Sequence, residues 1–145
     1  KEFPHDIVFI GSRDEITEEA RKDKVDLSSL IIVDAPEKIG MEDKAAMSIR
    51  RKKKSSIVIG NKLLKDREID AFVSCGNTGA VVSAATLMVG LIEGVERPGI
   101  AVLFPTLKDV SLVIDAGANI NPKPLHLLQY GVMASLYYEV VRSEE

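Results

Sequence analysis

The sequence feature that most constrains the fold is one stretch in which an apolar run, a glycine turn and a long apolar segment follow one another. Residues 70–75 read DAFVSC, residues 76–79 read GNTG, and residues 80–92 are nearly all small or apolar. The short run predicts a strand, the glycines predict a turn, and the last segment predicts a helix. Such a strand–turn–helix unit is typical of parallel α/β sheets. Because apolar side chains occur on every side of the helix over 80–92, this helix is predicted to be buried.

The rest of the chain repeats this alternation of apolar runs and helical patterns. Strands are predicted over 6–11, 30–34, 100–104 and 111–115, and helices over 12–24, 42–51, 55–66 and 124–141. Apolar strands that alternate with helices predict a doubly wound α/β fold with a mostly parallel sheet. The short connection between the last two strands permits one antiparallel pair. No repeat or linker divides the sequence, so a single α/β domain over 1–145 is expected.

Composition excludes several classes of protein. At 145 residues with 46% hydrophobic side chains, the chain has enough material for one core and is too apolar to be disordered. A net charge of −3 argues against a surface for nucleic acid. The longest apolar stretch, residues 80–92, is shorter than the roughly 20 residues that span a bilayer, so no membrane-spanning helix is expected.

The sequence also allows predictions about its single cysteine, one histidine and metal binding. Cys75 is the only cysteine, so it can form no internal disulfide, and a reducing cytoplasm is expected. Its thiol is predicted to be buried. His126 lies among leucines on a predicted helix, which favours a structural role over a catalytic one. No group of histidine, cysteine and carboxylate residues has the spacing of metal ligands, so no metal is expected.

Two predicted strand-to-helix junctions carry the residues best suited to an anion. In open α/β sheets, ligands bind beyond the carboxyl ends of the strands, where backbone amides and helix dipoles favour phosphate. The candidates at the first junction are Gly76, Asn77, Thr78 and Gly79, and those at the second are Asp115, Gly117, Asn119 and Lys123. Either junction could equally be an ordinary helix cap, and Lys123, which lies between two prolines, could be a plain surface lysine.

Five consecutive cations occupy residues 50–54, which read RRKKK. They favour three interpretations. The cluster could be the solvated end of a helix, where cations suit the helix dipole. It could dock an acidic protein or anionic lipid head groups. Nucleic acid ranks third, because the chain as a whole is acidic.

Several of these motifs follow one another in a fixed order along almost the whole chain. They are RRKK at 50–53, SS at 55–56, DAFVSCGNTGA at 70–80, RP at 97–98, PT at 105–106, DAGAN at 115–119, KP at 123–124 and HL at 126–127. In this combination the chain resembles bacterial phosphate acyltransferases of the PlsX type. It departs from the family pattern at Cys75, where a small alanine is usual, and in the short link over 107–110.

The resemblance implies transfer of an acyl group from an acyl carrier protein thioester to inorganic phosphate, giving acyl phosphate for phospholipid synthesis. It implies no organic cofactor. It also implies a homodimer with a Rossmann-like, three-layer α/β/α fold related to isocitrate and isopropylmalate dehydrogenases, located in the cytoplasm and associated peripherally with the inner face of the membrane. The family carries further sequence on both sides, so the chain is expected to be an incomplete, central segment of a longer enzyme.

The resemblance also assigns roles to the candidate residues. Lys123 and Asn119 become the catalytic candidates, with Lys123 as the cation near the thioester oxygen, where negative charge gathers. Residues 76–79 and Gly117 become candidates for holding phosphate. The four candidates for docking the carrier protein are Arg50, Arg51, Lys52 and Lys53. The alternatives are a phosphate acetyltransferase-like or other phosphate-binding α/β enzyme, and a non-catalytic module that binds the carrier protein or a membrane.

Overall fold

The first part of the chain is organised around a pair of parallel strands. In the computed structural model, which describes residues 6–117 and 119–143, β1 (Val8–Gly11) pairs with β2 (Ile31–Asp34). Val8 lies opposite Ile31, and Gly11 lies opposite Asp34. Helix α1 (Arg13–Asp23) forms the crossover that a parallel pair requires. The predicted strands over 6–11 and 30–34 are therefore confirmed.

Helix α1 begins and ends where its sequence provides caps. The Ser12 hydroxyl accepts a hydrogen bond from the Glu15 N–H (3.5 Å), and Lys24 ends the helix in the left-handed region at φ 55°. Arg13 ties the helix to β2, because its N–H donates to Asp34 Oδ1 (2.9 Å) and its guanidinium donates to the Ile32 carbonyl (2.7 Å). The prediction of a helix over 12–24 is confirmed.

Three further helices pack together in this part of the chain. They are α2 (Ala45–Arg51), α3 (Ser56–Lys65) and α4 (Thr78–Ala84), and a π-helical turn, Ala85–Val89, extends the last of them. Their shared core consists of Ile49, Ile57, Val58, Ala80 and Ala84. Helix α3 is capped by the buried Ser55, whose Oγ accepts from the Val58 N–H (3.4 Å). The helices predicted over 42–51 and 55–66 are confirmed.

The strand predicted over residues 70–75 is wrong. These described residues form no strand with any other part of the structure, and Val73 is 88% exposed. The segment is instead anchored by Phe72, whose ring lies so close to Gly60 that a Cβ added there would be 2.2 Å from the ring. An apolar run predicts extended backbone, but it does not provide the neighbouring strand that would complete a ladder.

The predicted burial of residues 80–92 is also wrong. Only Ala80 and Ala84 are fully buried, and the helical backbone ends at Val89, before Gly90 with φ 97°. Leu87 and Ile92 are exposed. Small residues at one side of α4 form the shared core with α2 and α3, and Met88 packs against it, while Leu87, Val89, Leu91 and Ile92 remain exposed.

The second part of the chain contains an antiparallel pair and one long helix. Strand β3 (Ala101–Pro105) pairs with β4 (Val110–Ile114), and helix α5 (Pro124–Ser143) follows. The tight link between the strands is closed by Thr106, whose hydroxyl donates to the Asp109 carbonyl (2.7 Å). The two predicted strands, the antiparallel pairing and the helix over 124–141 are confirmed.

The chain divides into two units, Lys1–Gly90 and Leu91–Glu145. The first has helices around a parallel pair, and the second has a helix beside an antiparallel pair, so the α/β class is confirmed. In the part of the chain that the structure describes, no helix is long and apolar enough to cross a membrane. Residues 6–117 and 119–143 also contain no group of three or more His, Cys, Asp or Glu side chains placed to share a metal ion.

Candidate functional site

The glycine junction, residues 76–79, forms the start of α4 in the first unit. Asn77 caps the helix, because its Oδ1 accepts from the Ala80 N–H (2.9 Å). Gly76, Thr78 and Gly79 are exposed, and the Gly76 N–H donates to Ser74 Oγ (3.2 Å). Asn77 is thus the residue that caps α4, and Gly76, Thr78 and Gly79 on either side of the cap are open to solvent.

The other end of the Asn77 side chain holds a distant loop. Its Nδ2 faces the carbonyl oxygens of Gly40 (3.0 Å), Met41 (3.0 Å) and Asp43 (3.3 Å). Asn77 is only 8% exposed. Because both polar ends of the amide are engaged by the backbone, Asn77 builds the junction and does not present its side chain to a ligand.

A cleft of about 350 Å³ opens beside the glycine junction. It lies between the end of β1, the first turn of α3 and residues 72–76, and its polar lining includes Lys38, Ser56, Ser74 and Cys75. The Lys38 ammonium pairs with Glu15 Oε2 (2.6 Å). Cys75 is exposed, so the predicted buried thiol is wrong. The reason is that residues 70–75 do not form an interior strand and therefore stay at the surface of the cleft.

The basic cluster, residues 50–54, spans the end of α2 and the turn into α3. Arg50, Arg51 and Lys53 are exposed. Lys52 differs, because its ammonium donates to Asp43 Oδ2 (2.6 Å) and to the Lys38 carbonyl (2.6 Å). This hydrogen bond from Lys52, together with a bond from the Gly40 N–H, lowers the pKa of Asp43 from its ordinary value.

The second junction is a sharply turned segment between β4 and α5. Three of its residues adopt left-handed backbone conformations: Asp115 at φ 57°, Gly117 at φ 88° and Asn121 at φ 61°. Asn119 closes the turn on Asp115, because its Nδ2 donates to Asp115 Oδ1 (2.9 Å) and its N–H donates to Oδ2 (3.3 Å). The same Nδ2 lies 3.1 Å from the Pro98 carbonyl. Ala118, which belongs to the DAGAN motif, lies outside the described residues.

Lys123 immediately precedes α5 and is exposed. Its backbone N–H donates to Nδ1 of His126 (3.1 Å), so this ring nitrogen carries no proton. The other ring nitrogen, Nε2, therefore donates to Glu96 Oε2 (3.0 Å). His126 is 2% exposed with both nitrogens bonded, and the structural role predicted for it is confirmed.

Tyr130 lies one helical turn after His126 and is also buried. Its hydroxyl makes no hydrogen bond of ordinary geometry within residues 6–117 and 119–143. Burial raises the pKa of Tyr130, the nearby negative charge of Asp115 raises it further, and Arg97 opposes the change. The phenol therefore stays neutral beneath the second junction.

Sequence reasoning did not find Asp43, Glu96 or Tyr130. Asp43 and Glu96 bond side chains that are 9 and 30 positions away, and no local pattern marks such pairs. Tyr130 could have been found, because it is four residues after His126 and so lies on the same side of α5. The two junctions belong to different units.

Comparison with known proteins relates the whole chain to one group. A family model described as "Fatty acid synthesis protein" matches residues 1–145. A phosphate acyltransferase of Alkaliphilus oremlandii is 40% identical over 141 residues, which cover 97% of this chain and 42% of the relative. A phosphate acyltransferase of Desulforamulus reducens is 44% identical over 135 residues, or 93% of this chain and 40% of the relative. The chain thus spans about two fifths of the length of these curated relatives.

Proposed function

This chain belongs to the fatty acid synthesis protein family, and on that premise we propose that it is part of a phosphate acyltransferase. The reaction is transfer of an acyl group from an acyl carrier protein thioester to inorganic phosphate, and the acyl phosphate serves phospholipid synthesis. The observation that carries this proposal is the match to enzymes named phosphate acyltransferase at about 40% identity over nearly the whole chain.

The finer fold and the setting are part of the same proposal. We infer a three-layer, Rossmann-like α/β/α domain, to which the parallel pair of β1 and β2 with its crossover helix α1 contributes. The proposed enzyme is a homodimer without an organic cofactor or a metal, and it works in the cytoplasm at the inner face of the membrane. Both units, Lys1–Gly90 and Leu91–Glu145, would belong to that domain.

The chemistry needs a site for phosphate and a cation for the acyl group. A phosphate oxygen attacks the thioester carbonyl carbon, the carbon–sulfur bond breaks, and the carrier's sulfur leaves as a thiolate that takes up a proton. Negative charge gathers on the carbonyl oxygen, and we assign its stabilisation to the exposed ammonium of Lys123. The exposed backbone at Gly76, Thr78 and Gly79 is the proposed phosphate cradle of the first unit, and Gly117 stays a candidate for holding phosphate in the second.

The two asparagines take supporting roles in this proposal. Asn77 caps α4 and shapes the cradle, and Asn119 closes the turn that leads to Lys123. Arg50, Arg51 and Lys53 are exposed and supply the positive surface that would steer an acidic carrier protein toward the site. Lys52 is removed from this docking group, because its ammonium is held by Asp43.

One observation favours a second candidate function. The side-chain amides of Asn77 and Asn119 both donate to protein acceptors, as they would in plain structural caps. On that alternative, the chain is a non-catalytic module that binds the carrier protein through the basic cluster. It would bind the carrier but would form no acyl phosphate.

The test is an assay of acyl phosphate formation from acyl carrier protein thioester and inorganic phosphate. It is run on the 145-residue chain and on the longer protein that contains these residues, which is called the full-length enzyme. We expect activity in the full-length enzyme. A parallel reaction with a coenzyme A thioester distinguishes an acetyltransferase-like enzyme. Carrier binding without turnover in either protein would overturn the proposal in favour of the binding module.

A further inference from the structure

The basic cluster contains one lysine that is held differently from its neighbours. The Lys52 ammonium lies 2.6 Å from Asp43 Oδ2 and 2.6 Å from the Lys38 carbonyl, and its side chain is 35% exposed. Lys53, the next residue, is exposed. A cation held by a carboxylate and a carbonyl has little freedom to meet a partner, so Lys52 acts within the protein.

Asp43 is the point at which Lys52 meets the loop over residues 38–43. Its Oδ2 accepts from both the Lys52 ammonium and the Gly40 N–H (2.8 Å), which bends the loop back on itself. The loop has no helical or strand hydrogen bonds of its own over 38–43. A backbone turn bond from the Asp43 N–H to the Gly40 carbonyl (3.2 Å) also closes the loop, so its shape depends on this turn and on the side-chain bonds together.

The bent loop turns its carbonyl oxygens toward the glycine junction. The carbonyls of Gly40, Met41 and Asp43 all lie within 3.3 Å of Asn77 Nδ2. The same amide caps α4 through the Ala80 N–H. Because Asn77 is nearly buried, losing these acceptors would leave a polar group without partners, so the loop and the cap are expected to move together.

The start of the loop is fastened to the same turn of the basic cluster. The Lys54 N–H donates to Glu37 Oε2 (2.6 Å), and the Glu37 N–H donates to the Lys54 carbonyl (3.3 Å). The turn that carries the exposed cations is thus joined to the loop at two places, through Glu37 and through Lys52.

Resting on the proposed function, we propose that Lys52 and Asp43 are positioning residues for the phosphate cradle. They hold the loop over 38–43 in the conformation whose carbonyls bond the Asn77 side chain. Through Asn77, they fix the backbone at the start of α4. The basic cluster then has two separate tasks. Its outward cations meet the carrier protein, while Lys52 orders the cradle.

Adjacent lysines provide the matched test. In the full-length enzyme, Lys52→Ala is compared with Lys53→Ala at low and high salt. We expect Lys52→Ala to raise the KM for phosphate about tenfold at both salt concentrations, because a misplaced cradle is not a screened charge effect. We expect Lys53→Ala to raise the KM for the carrier protein at low salt only and to leave the KM for phosphate unchanged.

A further variant, Asp43→Asn, replaces the carboxylate that holds Lys52 with an amide of nearly the same size. Asp43→Asn should raise the KM for phosphate as Lys52→Ala does, and Lys52→Arg should restore part of the loss. Asp26→Asn is the control, since Asp26 also accepts two hydrogen bonds, but both come from Ser28, two positions away in the loop before β2 (2.9 and 2.8 Å). Its kinetic constants should equal those of the parent.

Hydrogen exchange measured by mass spectrometry gives a readout that does not depend on turnover. Lys52→Ala and Asp43→Asn should speed exchange over 38–43 and 77–81, and Lys53→Ala and Asp26→Asn should not. The positioning role is overturned if Lys52→Ala and Lys53→Ala change the same constant, or if exchange at 77–81 is unaltered. An inactive parent enzyme would instead refute the proposed function, and the exchange data would still decide whether the loop and the cap are linked.

Discussion

The two junctions each depend on an asparagine, but they hold it in different ways. Asn77 reaches carbonyls that are 34 to 37 positions away, so the first junction is shaped by a distant loop. Asn119 bonds mainly to Asp115, four positions before it, and makes one longer-range contact with Pro98. At the first junction the backbone is exposed, and the nearby Lys38 and Lys52 are paired with carboxylates, whereas the second junction is followed by the exposed Lys123. On the proposed function, the backbone of the first junction would hold phosphate, and Lys123 at the second junction would supply positive charge.

The largest expected effect concerns the charge at the second junction. Lys123→Ala in the full-length enzyme should lower kcat about 100-fold, because removal of a group that stabilises a developing oxyanion has effects of this size. Lys108→Ala is the control, since Lys108 is exposed in the link between β3 and β4 and has no assigned role. Steady-state rates of acyl phosphate formation measure both. An unchanged kcat in Lys123→Ala would refute the proposal that the second junction supplies positive charge to the reaction.

Two helix glycines offer the next comparison. A Cβ at Gly60 of α3 would lie 2.2 Å from the Phe72 ring, while a Cβ at Gly131 of α5 would meet no described atom within 4 Å beyond its chain neighbours and the backbone of its own helix. Gly60→Ala should therefore destabilise the full-length enzyme by about 2–3 kcal/mol through overpacking. Gly131→Ala should stabilise it by about 0.5–1 kcal/mol, because alanine favours a helix. Urea unfolding measures both, and equal effects would show that Phe72 does not anchor residues 70–75.

The asparagines themselves can be compared by truncation. Asn77→Ala should cost about 2 kcal/mol, because it removes the buried capping bond from the Ala80 N–H together with three part-buried contacts to the loop over 38–43. Asn119→Ala should cost about 1 kcal/mol, since its contacts are only partly buried. Urea unfolding of the two variants provides the measurement. A larger loss of stability in Asn119→Ala than in Asn77→Ala would contradict the expectation that the first junction depends more on its asparagine.

Acid should act on the loop that supports the first junction. Because Lys52 and the Gly40 N–H lower the pKa of Asp43, its ionised form favours the folded state. This contribution is complete above the unfolded pKa of about 4 and is lost as the pH falls through the lower folded value. The stability difference between the parent and Asp43→Asn should therefore be constant from about pH 5 to pH 7 and shrink below pH 4. Urea titrations at several pH values test this, and a difference that does not begin to shrink below pH 4 would contradict it.

The smallest change in stability is expected from Tyr130→Phe in helix α5. Tyr130→Phe removes a buried hydroxyl that lacks a hydrogen-bond partner among the described residues. We expect stability to be unchanged or to rise by up to about 1 kcal/mol, because no bond is lost. Thermal unfolding measures the change. A loss of stability of more than about 1 kcal/mol in Tyr130→Phe would mean that the hydroxyl donates a hydrogen bond to Asp115 in solution.

Local patterns predicted the elements whose ends are fixed by nearby residues. Ser12 and Ser55 cap helices within three positions, so α1 and α3 were predictable with correct limits. Residues 70–75 have a strand's composition, but pairing depends on a partner elsewhere in the chain. The same limit applied to the site. Lys52 and Lys53 are identical and adjacent in sequence, and only the position of Asp43, nine residues before Lys52, separates their roles.

The imidazole that bonds the Lys123 N–H has an electrostatic consequence. Helix starts commonly fill this third position with glutamate, whose carboxylate accepts the same kind of bond. His126 makes the bond with an uncharged nitrogen, and the carboxylate of Glu96 bonds the opposite side of the ring. The first turn of α5 is thereby capped without an anion next to Lys123. On the proposed function, an oxyanion here would meet the positive end of a helix and a lysine, with the Glu96 carboxylate on the far side of the His126 ring.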